Sequence, residues 1–447
     1  MRKSFFNHCL FLLLLASALV FAGCSGGGSG SGLTGDSSSV ASVSSKGNIT
    51  VYSGGSLIVP KNLPVTLASE AGAPGLNRAA AKFDYDITYV ARAMPVMVEG
   101  RTVQANDIII RGSKAYISYN VAGEVFAGAI QVVDISNKNN PTVLNEIQFK
   151  DADINCLFLD EQGNRLLFGV SANPDTWGFS SPAAVGMIKL SSINAEEVYS
   201  SIKHLPSYAA TGVAKKGNNY YVGVGAKDGG ISVLDESLYE VGFMSYPDIR
   251  DIVSYKDGLA ALAGNTDSTR EAGLLVFSDQ YSALSPISVP GFSAYHKATV
   301  GMYNSNGKIF GDEDAIAFLG LSELGMKVLK LKGGAAETVF ELANPAGANF
   351  NTNSVSYDNN SETNDNSQVK DNGLAFVANG EYGFRVLKLN IKSKDSDPFA
   401  EITGFHKLDG SIYDNRVFSV NHIEYKAGYL VAACGENGVN IYRVDKK

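Results

Sequence analysis

The chain has 447 residues, 45% of them hydrophobic and 18% charged, which is enough to build a large core and too apolar for a disordered protein. Its 45 acidic and 37 basic residues leave a net charge of −8, which argues against nucleic-acid binding, because that needs a basic face. With 47 glycines, 21 Tyr, 22 Phe and only 13 prolines, the composition points to many short strands and tight turns rather than helical bundles.

In chain order, Arg2 and Lys3 precede an apolar stretch, Leu10–Phe21, that is shorter than a membrane-spanning helix needs. Small residues follow, and the pattern reads as a secretory signal over residues 1–23. Phe21-Ala22-Gly23-Cys24 resembles the bacterial lipobox, which implies lipidation of Cys24 and anchoring to a membrane. Ser25 after the cysteine, by the same resemblance, implies the outer membrane of a bacterial cell envelope. Residues 24–57, rich in Gly and Ser, read as a flexible tether, and 58–82, with Pro60, Pro64 and Pro74, as an irregular segment leading to the folded body. Cys156 and Cys434 sit in apolar strand-like runs far apart in sequence and read as buried thiols.

The rest is organised by repetition. A glycine followed by an alternating apolar strand recurs seven times, as in Gly128-Ala129-Ile130-Gln131-Val132-Val133-Asp134, Gly230-Ile231-Ser232-Val233-Leu234-Asp235 and Gly383-Phe384-Arg385-Val386-Leu387-Lys388. The strands begin at 129, 187, 231, 274, 326, 384 and 439, between 43 and 58 residues apart, a spacing that suits one four-stranded propeller blade per repeat. Each phrase follows a strand ending in a Gly/Asn/Glu turn, as in Val431-Ala432-Ala433-Cys434-Gly435-Glu436-Asn437-Gly438, where residues that tolerate positive φ make a hairpin. An earlier hairpin such as Asp107–Ser118 and a later strand such as Pro141–Ile147 complete the unit. The expected fold is all-β, a seven-bladed β-propeller of four-stranded antiparallel blades over residues 83–447.

Residues 131–141, Gln-Val-Val-Asp-Ile-Ser-Asn-Lys-Asn-Asn-Pro, resemble the LVIVD repeat of bacterial surface β-propellers. Later units keep the glycine and strand but lose the Asp or Pro, so the likeness weakens along the chain. It implies a fold and a surface location, and brings no catalytic residues with it.

The seventh unit ends at Lys447 after its third strand, which predicts that a strand from residues 83–104 completes the last blade and closes the ring. Tyr85–Ala91 and Pro95–Val98 are the alternating stretches available for this.

Propeller inner strands line a central channel, and their first residues crowd one mouth. Asp107, Asn155, Thr211, Asp251, Ser354 and His422, with Arg250 and Asn421 beside them, are the expected channel-mouth binding residues. The histidines show no local metal-ligand pair, and no G-x-S-x-G elbow occurs, so neither metal nor catalytic residues are assigned. Loop candidates are Trp177 in the insertion 171–182, Asp312, Glu313 and Asp314 in the fifth unit, and Asp358, Glu362 and Asp365 in the insertion 357–372 of the sixth. That last loop is rich in oxygen ligands for Ca²⁺ but lacks the EF-hand order. No other cofactor is expected. The reading is a membrane-anchored, non-catalytic binding or scaffolding module with a protein or carbohydrate partner. The alternative is a lactonase-like or quinoprotein-like enzyme with its site on the channel.

Overall fold

The computed structural model describes residues 41–43, 48–58, 63–68, 84–193, 200–255, 258–264, 272–289, 297–304, 315–332, 335–344, 350–358, 372–390, 400–408 and 419–447. The expected signal, Cys24 and most of the expected tether lie outside them.

Seven antiparallel sheets follow one another along the chain. In blade 1 the four strands are Gln104–Arg111, Lys114–Asn120, Ala127–Asp134 and Thr142–Lys150, running from the inside outward. Blades 2 to 6 repeat this order from inner strands Ala152–Asp160, Ala210–Lys216, Ile249–Tyr255, Thr299–Asn304 and Ser354–Asp358. Blade 7 contributes only His422–Lys426, Tyr429–Ala433 and Val439–Lys446 from the C-terminal end. Its fourth strand is Tyr85–Ala93, antiparallel to Val439–Lys446 in a register that pairs Tyr89 with Tyr442 and Ala93 with Val439. This is the closure expected from the sequence, and it uses the first of the two stretches. The second does not take part: Met97–Val98 folds back on Arg101–Thr102 as a separate two-stranded ribbon, because Glu99 and Gly100 turn the chain there with positive φ.

The middle strands read as nearly continuous apolar runs because both their faces are covered. Leu166, Phe168 and Val170 point into the core between blades 1 and 2, while Leu167 packs between blades 2 and 3. Each of the seven seams has its own cluster in this way. A fully buried aliphatic or aromatic side chain is worth about 1.5–3 kcal/mol, so the fold is held by its seams, and a seam exists only when both its blades are present. Gly128 lets the blades approach closely: a Cβ there would lie 2.6 Å from the Ala152 carbonyl of the next blade.

The expected tether ends earlier than its composition suggests. Ala41–Val43 adds a fifth strand to the outer edge of blade 2, and Ile49–Ser53 adds one to blade 1. Leu57–Ile58 and Leu63–Pro64 pair with the closing strand of blade 7, and Ala68 bridges Phe405 on blade 6. The alternation Ile49-Thr50-Val51-Tyr52 explains the difference, since it places Ile49, fully buried, in the seam between blades 1 and 2. The loop boundary in blade 6 also shifts. Tyr357 and Asp358 finish the inner strand, with Tyr357 stacked on Phe318 at 5.4 Å, rather than starting the insertion.

Tyr89 on the closing strand packs 5.3 Å from Tyr442, which in turn meets Phe384 of blade 6. Tyr89→Ala should cost about 3–4 kcal/mol in urea unfolding. Tyr52→Ala, on the exposed face of the added strand, should change stability by under about 0.5 kcal/mol. Equal effects would mean that closure does not limit stability.

Candidate functional site

Inner strands of blades 1 to 4 each begin with a β-bulge, at Asn106, Asn155, Thr211 and Arg250. A bulge re-aims one side chain per strand, which brings these residues to the same level of the ring. Together with Asp107, Asp251, Lys297, Thr299, Ser356, His422 and Glu424 they line a cavity of about 470 Å³ in the upper channel. Six of the eight expected mouth residues face this cavity, while Ser354 and Asn421 lie in the seams beside it.

Most of these polar groups are engaged in joining neighbouring blades. Asp107 Oδ2 accepts the Leu157 amide of blade 2 at 2.9 Å, and Asn155 donates to the Ala210 carbonyl of blade 3 at 3.3 Å. Thr211 donates to Ile249 of blade 4 at 2.8 Å, and Asp251 Oδ2 accepts the Val300 amide of blade 5 at 2.8 Å. Thr299 donates to Asn353 at 3.3 Å, Ser354 accepts the Ile423 amide at 2.9 Å, and Asn421 donates to Ala105 at 3.0 Å. Every joint of the ring therefore carries a side-chain-to-backbone hydrogen bond at this level. Blade 3 shows why the residue type matters. Gly212 leaves no side chain at this level, a Cβ there would sit 2.7 Å from the Ile252 amide, and Asp251 Oδ1 takes that amide itself at 2.8 Å.

The remaining charges meet across the channel. Nδ1 of His422 lies 2.9 Å from Asp107 Oδ1 without the alignment of a hydrogen bond, and Lys297 Nζ lies 3.9 Å from the same oxygen. Lys297 also donates to Asn106, reaching from blade 5 to blade 1. Arg250 is held by Asp248 at 2.6 Å. Burial pulls the Lys297 ammonium below its usual pKa, against the attraction of Asp107 and Asp251. Burial pushes Asp107 upward, yet the charges of His422 and Lys297 and the Leu157 amide outweigh it and hold the carboxyl well below the usual range. Asp251 is held up to about 7, because desolvation exceeds the help of its two amide donors and Asp107 adds repulsion.

Lys297, Asn106 and Glu424 were not expected from the sequence. The expected set held at least one polar residue for each blade except the fifth, and that gap falls at Lys297 and Thr299. Trp177 closes a four-residue helix, Pro174–Trp177, capped by Asn173 and Gly178. Its indole is half-buried against Phe179, and Nε1 donates to the Lys150 carbonyl at 3.1 Å. It is packed against its own loop and the seam between blades 1 and 2. Asp312, Glu313, Asp314, Glu362 and Asp365 lie outside the described residues, and Asp358 is the last residue of its strand. Among the described residues, no three His, Cys, Asp or Glu side chains converge as metal ligands. Cys156 and Cys434 are buried free thiols, and burial raises both pKa values.

No family model and no curated protein matches the chain. A chain in the Crystal Structure of Mitotic Checkpoint Complex superposes with a TM-score of 0.47 and 12% identity, over 86% of this chain and 100% of that one. The seven-bladed architecture itself is read from the strand pairing.

The Asp251 shift has a definite sign. Between about 3.9, the unfolded value, and about 7, the native carboxyl keeps a proton that the unfolded chain has released, so stability falls as pH rises through that window. Asp153, also raised to about 7 chiefly by burial, acts in the same direction. Asp107 acts oppositely, and its contribution is lost in acid below about pH 4. Asp251→Asn should remove part of the decline between pH 4 and pH 7, on the order of a few kcal/mol. Thermal unfolding across that range checks this, and a parallel pH profile in the variant would contradict it.

Proposed function

We propose that the protein is a non-catalytic binding or scaffolding β-propeller, held at the bacterial cell envelope through a lipidated Cys24. The observation that carries the binding role is how the channel mouth uses its polar groups. Its amides, hydroxyls and carboxylates are engaged between blades, and Lys297 and Asp107 neutralise one another across the channel. A site arranged this way favours rigidity over proton transfer, and a rigid ring offers its loops and edges to partners.

Two features of the sequence support the location. One is the lipobox-like Phe21–Cys24. The other is the LVIVD-like phrase at 131–141, which forms a strand, an Asx turn closed by Asp134 on the Ser136 amide at 2.8 Å, and the next strand. Residues 25–40 would then connect Cys24 to the first strand on blade 2.

Radiolabelled palmitate should enter the wild-type protein in a bacterial host and not Cys24→Ser, which should appear in the soluble fraction. An unlabelled wild-type protein would remove the anchor from this reading. Stoichiometric metal in purified protein, with hydrolase or oxidoreductase activity lost in Asp107→Asn, would move the reading to a channel enzyme.

A further inference from the structure

A sheet edge presents unpaired N–H and C=O groups, and proteins cover, shorten or charge such edges. Here the outer edges are treated unequally. The N-terminal segment covers those of blades 2, 1 and 7 with Ala41–Val43, Ile49–Ser53 and the two short strands at 57–58 and 63–64, and Ala68 bridges onto blade 6. Blade 4 ends in a three-residue strand that starts with a proline, Pro286–Ser288. Blade 5 carries exposed Glu337 and Glu341 on its outer strand, the latter paired with Lys327 at 3.5 Å.

Blade 3 has none of these protections among the described residues. Its outer strand, Glu240–Ser245, pairs only inward with Gly230–Asp235, contains no proline, and has a single charge, at its start. Val241 is 46% and Phe243 40% exposed, and Tyr239 in the preceding turn is 56% exposed. Tyr281, 86% exposed, belongs to a blade 4 loop whose Gln280 would lie 3.3 Å from a Cβ placed on Gly242. Four of the exposed large apolar side chains therefore gather around one open ladder. The next blade in the ring, blade 2, already takes an antiparallel fifth strand at the equivalent edge.

We propose that the outer edge of blade 3 is a docking site for an extended segment of a partner protein, added as a fifth antiparallel strand. The ladder groups of Glu240–Ser245 supply affinity, and alternate apolar side chains of the partner pack on Tyr239, Val241, Phe243 and Tyr281. Glu240 on the strand and Asp279, next to the Gln280 that faces Gly242, favour a partner segment without acidic residues. Residues 25–40 of this chain are a poor match, since Leu33 and Val40 are their only large apolar side chains. The proposal deepens the binding role and does not depend on the lipid anchor.

The test places a photo-crosslinking benzoylphenylalanine at Phe243, and separately at exposed Tyr208 on another part of the ring, in the full chain within native envelopes. Support requires crosslinks from position 243 that map to one extended partner segment. A synthetic peptide of that segment must bind the purified chain and lose at least tenfold affinity to Phe243→Lys and to Val241→Pro. Val241 falls at a register shift, where the inward ladder skips it, and Phe243→Lys leaves the backbone unchanged, so an unaltered melting temperature in either variant keeps the comparison valid. Crosslinking to a second copy of this chain, or a peptide indifferent to both substitutions, overturns the proposal. Crosslinks from 208 alone overturn it while leaving the binding role intact, and none from either position counts against both.

Discussion

Ring closure is the constraint on which the structure depends. Blades do not stand alone, because the apolar groups on their faces are buried only against a neighbour. The ladder between Tyr85–Ala93 and Val439–Lys446 turns an open row of seven sheets into a circle with seven complete seams. Arg92, almost fully buried on the closing strand, donates to Asn437 in the last turn at 2.8 Å and fixes the register of the two chain ends. Residues more than 340 positions apart in sequence thus meet in one sheet.

The same requirement shapes the channel. Seven inner strands converge where side chains are close to one another, so polar residues there serve first to satisfy backbone groups of the adjoining blade. The carboxylates illustrate how context sets charge. Asp107, with His422 and Lys297 beside it, stays ionised, whereas Asp251, given two amides and no close cation of its own, holds its proton to near neutrality. A single axial ammonium cannot compensate two buried acids equally.

Around the outside, the N-terminal segment acts as a strap. It runs from blade 6 through 7 and 1 to 2 as the chain is followed backwards, and covers edges that would otherwise be open. Among the described residues the strap adds strands to blades 1, 2 and 7 and none to blades 3 to 5, which gives a nearly symmetric ring one distinct side.

Much of this was legible in the chain itself. The recurrent glycine-strand phrase specified seven blades, their strand order and the need for an upstream closing strand, because strand alternation and hairpin turns are local properties carried by neighbouring residues. Two matters were decided only by tertiary structure. Ile49–Ser53 looked like the end of a linker until an adjacent edge gave it hydrogen-bond partners. Asn155, Thr211, Asp251 and Ser354 read from their polarity as candidate binding residues, and which backbone groups of the next blade engage them was set only in the assembled ring. Both depend on groups contributed by distant parts of the chain, and the local pattern of residues carries no record of which distant group will face them.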